Sequence, residues 1–83
     1  MNLAIEWRAL DDIEWNSGVL VDGLNGNLAI KTPEGYVTMD RNGTTRISPN
    51  MSNWEGNYIL DKNNPVLRIT PNIVTYVVEI REV

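Results

Sequence analysis

Through most of this chain apolar residues recur at every second position, and nothing else in it restricts the fold as much. Leu3, Ile5, Trp7 and Ala9 share one parity, while Glu6 and Arg8 hold the other. A period of two is that of an extended strand with one buried face. Ala, Glu, Arg and Leu would also suit a helix over residues 3–13, but the alternation favours the strand.

The same pattern continues between turn signals. Val19-Leu20-Val21 closes on Asp22-Gly23-Leu24-Asn25-Gly26, a run rich in hairpin-turn residues. Leu28 and Ile30 alternate, Thr32-Pro33-Glu34-Gly35 supplies a turn, and Val37 and Met39 alternate again. Asn42-Gly43 is the strongest hairpin signal, because both residues tolerate the positive φ that such turns require. Thr45 and Ile47 follow, then a polar connection over 49–57 that contains Trp54. Tyr58-Ile59-Leu60 and Val66-Leu67-Arg68-Ile69 flank a loop over 61–65, and Thr70-Pro71-Asn72 makes another turn. The segment 73–83 is apolar on both parities as far as Val78, which predicts a central strand covered on both faces. About six to eight short, mostly antiparallel strands with turns between them predict one all-β domain over residues 1–83, a small barrel or sandwich.

Composition narrows the chemistry. The 83 residues include no Cys and no His. Disulfides, thiolate nucleophiles and zinc–sulfur sites are therefore excluded, together with Ser-His-Asp and Cys-His catalysis. An enzyme would have to work with carboxylates, Lys or Tyr alone, so none is expected. No glycine-rich phosphate loop is present, and no cofactor is expected. No apolar run is long enough to span a bilayer, and the first ten residues lack a basic leader region. A cytoplasmic setting is expected, a host's cytoplasm if the gene is phage-borne.

The net charge of −4 is unevenly spread. Residues 1–30 hold five acids and one base, whereas residues 31–83 hold six of each. An acidic N-terminal third repels phosphate backbones, which makes nucleic acid a poor partner. It suits a basic protein surface, where complementary charge raises on-rate and specificity.

The candidate contact residues follow from this pattern. Asp11, Asp12 and Glu14, with Glu6 nearby, form the acidic segment. They lack the spaced acids and central Gly of a calcium loop, so no metal site is expected. The competing reading makes Asp11-Asp12 a plain solvated turn. Parity places Trp7 in the core, and Trp15, which shares parity with Ile13, buried or half-buried. Trp54, beside Glu55 in the polar connection, is either an exposed anchor for a partner or a plug that folds back over an open end. Tyr36 and Trp54 together could stack on a sugar.

From these features the expected function is protein–protein interaction, as in a small phage- or mobile-element-encoded inhibitor or accessory protein. A self-assembling structural subunit, hence a homo-oligomer, is the alternative, and a glycan-binding module is a weaker one.

Overall fold

The computed structural model describes residues 1–59, 65–71 and 73–83. Eight strands build one antiparallel sheet: β1 (Asn2–Ala9), β2 (Asn16–Asp22), β3 (Leu28–Thr32), β4 (Gly35–Met39), β5 (Thr45–Ser48), β6 (Glu55–Ile59), β7 (Pro65–Ile69) and β8 (Tyr76–Glu82). A short 3-10 turn, Leu24–Gly26, joins β2 to β3, with Asn25 at φ 55°. The all-β expectation holds, and residues 3–9 are strand rather than helix.

The spatial order is β5-β4-β3-β2-β1-β8-β7-β6. Consecutive strands lie side by side with one exception, and β8 pairs with β1, with Trp7 opposite Ile80 and Ala9 opposite Val78. Only β5 and β6 are consecutive without being paired. The arrangement is an up-and-down roll with one open seam, neither a closed barrel nor two separate sheets. Eight flat strands spaced about 4.8 Å apart would span about 34 Å before side chains are added. The whole molecule measures only 29 × 26 × 25 Å, so the sheet curls on itself.

Curling brings alternate residues of distant strands into one core. Ile5 and Trp7 from β1, Leu20 from β2, Ile30 from β3, Val37 and Met39 from β4, Leu67 and Ile69 from β7, and Val78 and Ile80 from β8 pack together. Gly18 makes room for the Trp7 ring: a Cβ there would lie 3.0 Å from both Trp7 Cδ1 and Ile30 Cγ2. The β4–β5 turn is locked by Asp40, whose Oδ1 accepts the backbone N–H of Asn42 (2.9 Å) and of Thr44 (3.1 Å). Gly43 supplies the positive φ of 80°. The turn reaches across the roll, and the Tyr76 hydroxyl donates to the Arg41 carbonyl.

The open seam is where Trp54 sits. Its backbone exchanges two hydrogen bonds with Leu28 (2.7 and 3.0 Å), and its indole N–H donates to the Val37 carbonyl (3.2 Å). The side chain is fully buried. Trp54 is therefore the plug, and the alternative of an exposed anchor is overturned. Asn53 is half-buried, its Oδ1 accepting the Leu24 N–H (2.7 Å), and Glu55 is exposed, while the indole fills the gap that the missing β5–β6 pairing leaves.

Two apolar expectations are also corrected. Ile13 is 89% exposed, and Ile73 and Val74 lie in the β7–β8 loop, outside a strand that starts only at Tyr76. β8 is central as expected, but its doubly covered stretch is Val78–Ile80. Of the loop expected over 61–65, only Pro65 lies within the described residues, and Asn72 of the Thr70-Pro71-Asn72 turn lies outside them.

Candidate acidic loop at one end of the roll

The stretch Trp7–Trp15 divides between two faces of the sheet. Trp7 points inward and is 4% exposed. Trp15 belongs to the phase of β2, where Leu20 is internal, so its odd parity points outward. The turn over residues 10–15, closed by the Asp12 N–H on the Ala9 carbonyl (3.0 Å), resets the alternation. Grouping Trp15 with Ile13 as inward-facing is thus wrong in direction, although the ring is half-buried.

What half-buries it is a stack of cations. The Arg8 guanidinium lies 4.4 Å from the Trp15 ring centroid and that of Arg81 lies 4.0 Å away. Each arginine also holds a carboxylate directly across the β1–β8 ladder: Arg8 with Glu79 at 2.5 Å, and Arg81 with Glu6 at 2.8 Å. Glu79 is 8% exposed, so its pairing offsets a real desolvation cost. The result is an outer-face cluster of two ion pairs with one indole, which fastens the C-terminal end of the β1–β2 loop to the sheet.

The other carboxylates divide clearly. Asp22 meets the α-amino group of Met1 (2.6 Å), Asp40 meets Arg46 (3.2 Å) and Glu55 meets Arg68 (3.5 Å). The backbone N–H of Thr44 does most to hold the Asp40 carboxyl below its ordinary range; desolvation opposes it, and the Asn42 N–H and the Arg46 guanidinium add to the lowering. Asp11, Asp12 and Glu14 are exposed and make no ion pair among the described residues.

The candidate contact residues therefore do not form one site. Asp11, Asp12 and Glu14 share the β1–β2 loop. Glu6 lies on the outer face of β1, neutralised by Arg81. Glu55 is tied to Arg68 at the start of β6. Tyr36 is half-buried on the outer parity of β4, and Trp54 is internal. With Trp54 buried, the Tyr36–Trp54 stacking platform does not exist on this surface.

Residues that the sequence pattern did not single out join the acids instead. Leu10 and Ile13 of the same loop are exposed, as are Ile73 and Val74 of the β7–β8 loop. Their polar and turn-rich surroundings were the available signal, since an aliphatic residue beside Asp or Pro in a loop has no strand face to fill. Asp12, Ile13 and Glu14 also wall a shallow cleft of about 280 Å³ with Trp7, Asn16 and Thr45.

Among the described residues no three His, Cys, Asp or Glu side chains converge as a metal site. No described helix is long and apolar enough to cross a membrane. Compared with family models, curated proteins and solved structures, the chain matches none.

Proposed function

We propose that this chain is a non-enzymatic protein–protein interaction domain whose β1–β2 loop faces a basic surface on another protein. The observation that carries this reading is the uneven neutralisation of its acids. Among the described residues Glu6, Asp22, Asp40, Glu55 and Glu79 each lie beside a cation, while Asp11, Asp12 and Glu14, like Glu34 and Glu82 elsewhere, do not; the β1–β2 loop gathers three of these acids within four residues. Charges left free on one loop steer encounter with an opposite charge and reject like-charged partners, including phosphate backbones. An inhibitory or accessory role, in phage or mobile-element biology and in the cytoplasm, accords with a chain of 83 residues that has neither His nor Cys.

The test is affinity capture from the native host with the wild-type chain and with Asp11→Lys combined with Asp12→Lys. A partner held at low salt by the wild type and released by the reversed loop is expected. A partner that both retain equally, at all salt concentrations, would remove the acidic loop from the interface.

Self-assembly is the second reading, and one observation favours it. Ile47 has the inward parity of β5 yet is 45% exposed, at a sheet edge that no described strand pairs. Unpaired edges are templates for another copy. Size-exclusion chromatography with light scattering decides: a monomer at micromolar concentration counts against assembly, and a discrete dimer or ring supports it.

A further inference from the structure

We infer that the acidic end receives a polypeptide segment that is both basic and apolar, gripped by two loops rather than one. The inference rests on the acidic-loop reading above and adds an anchor to it.

β1 and β8 run side by side, with Ala9 opposite Val78. The β1–β2 and β7–β8 loops therefore leave the sheet at the same end. Each carries a large aliphatic side chain in water: Ile13 is 89% exposed and Ile73 is 97% exposed. Leu10 and Val74 beside them are about half exposed, at 45% and 50%. Single exposed aliphatics are ordinary on a protein surface. Four on two loops at one end of the sheet, one of which also carries three carboxylates with no ion pair among the described residues, make an amphipathic end suited to a partner.

The chemistry of the occupant follows from the groups offered. Asp12 and Glu14 select Lys or Arg. Ile13 and Ile73 select apolar side chains. A peptide segment brings cation and apolar side chain together. A bare metal ion brings no apolar surface, and an anionic lipid surface is repelled by the carboxylates.

The probe is a displayed library of random peptides, each roughly twelve residues long, selected on the full chain. Enriched peptides are expected to combine Lys or Arg with aliphatic or aromatic residues. These peptides are then titrated against two variants, Ile13→Ser with Ile73→Ser and Asp11→Lys with Asp12→Lys. Each pair is expected to weaken binding by at least about ten-fold, with circular dichroism and thermal midpoint unchanged because all four sites are exposed. Basic peptides that lose affinity only for the charge-reversed pair overturn the two-loop anchor and leave the acidic-loop reading standing. Peptides without basic residues, or no enrichment at all, overturn both. In a parallel titration, vesicles rich in anionic phospholipid are expected not to bind. Vesicle binding that the Ile13→Ser, Ile73→Ser pair abolishes would replace the polypeptide with a lipid surface.

Discussion

The indole N–H of Trp54 donates to the carbonyl of Val37 at 3.2 Å, across the one seam where consecutive strands of this sheet fail to pair. With its two backbone bonds to Leu28, this residue ties the segment before β6 to β3 and β4. Trp54→Phe keeps most of the ring volume but removes the donor, and is expected to cost about 1–2 kcal/mol. Trp54→Ala is expected to cost about 3–5 kcal/mol, a large share of the stability of so small a domain. Urea denaturation of the three proteins checks both values, and equal midpoints would show that the seam needs no plug.

Trp15 and Trp7 should respond differently to truncation. Trp15→Ala removes two cation–π contacts, each worth about 0.5–1 kcal/mol at a partly exposed site, for a total of about 1–2 kcal/mol. It should also speed hydrogen exchange across residues 10–15, because the indole fastens that loop to Arg8 and Arg81. Trp7→Ala removes a core ring and is expected to cost about 3–5 kcal/mol. Equal losses would mean that the two rings do not lie on opposite faces.

Gly18→Ala tests the close approach beneath Trp7. The added methyl would stand 3.0 Å from Trp7 Cδ1 and Ile30 Cγ2, both on packed core side chains. Overpacking of this kind costs about 1–3 kcal/mol. A thermal melt at or above the wild-type midpoint would contradict the packing described for β2.

Asp40 gives a pH dependence with a definite sign. Its carboxyl is held below the ordinary value of 3.8 by the Thr44 and Asn42 N–H groups and by Arg46. A depressed folded-state pKa means that the ionised form is favoured by folding. This contribution is complete above pH 3.8 and fades as the pH falls below it through the lower folded-state value. Asp40→Asn should therefore be less stable than wild type at neutral pH, and the gap should close in acid. Thermal midpoints recorded from pH 7 to pH 2 check this, and a constant gap would assign the effect to hydrogen-bond geometry alone.

The acidic loop should be dispensable for folding. Asp11 and Asp12 are exposed and make no ion pair among the described residues, so Asp11→Lys with Asp12→Lys should change stability by less than about 0.5 kcal/mol per site. A large loss in urea denaturation would show that these carboxylates stabilise the turn itself.

The sequence was legible wherever one face of a strand is buried. Ile5, Trp7, Leu20, Ile30, Val37 and Met39 announce themselves by alternation, because each strand must keep its apolar set on one side. Legibility stopped at the turn over 10–15, where phase is lost and Trp15 passes to the outer face. It stopped again at 73–74, because apolar content alone does not distinguish a loop aliphatic from the start of a strand. Trp54 was ambiguous for a different reason: its neighbours in sequence are polar, and its burial is decided by a gap in tertiary pairing. The acidic segment could be read as charge, but which of its members remain free depended on the register of β1 against β8. That register gives Glu6 to Arg81 and leaves Asp11, Asp12 and Glu14 to solvent.

The adjacency of β1 and β8 also governs how this molecule can reach its native state. The strands from β1 to β5 form one meander and those from β6 to β8 another, and the ladder between β1 and β8 joins partners 71 and 75 residues apart in sequence. Closing so long a loop costs entropy before any of the contacts it creates can offset the loss. Search times for such topologies fall in the range of milliseconds to seconds rather than microseconds. Until the two ends meet, each meander shows a bare strand edge at what will become the middle of the sheet. The interval before that meeting is when the chain is most open to pairing with the wrong neighbour.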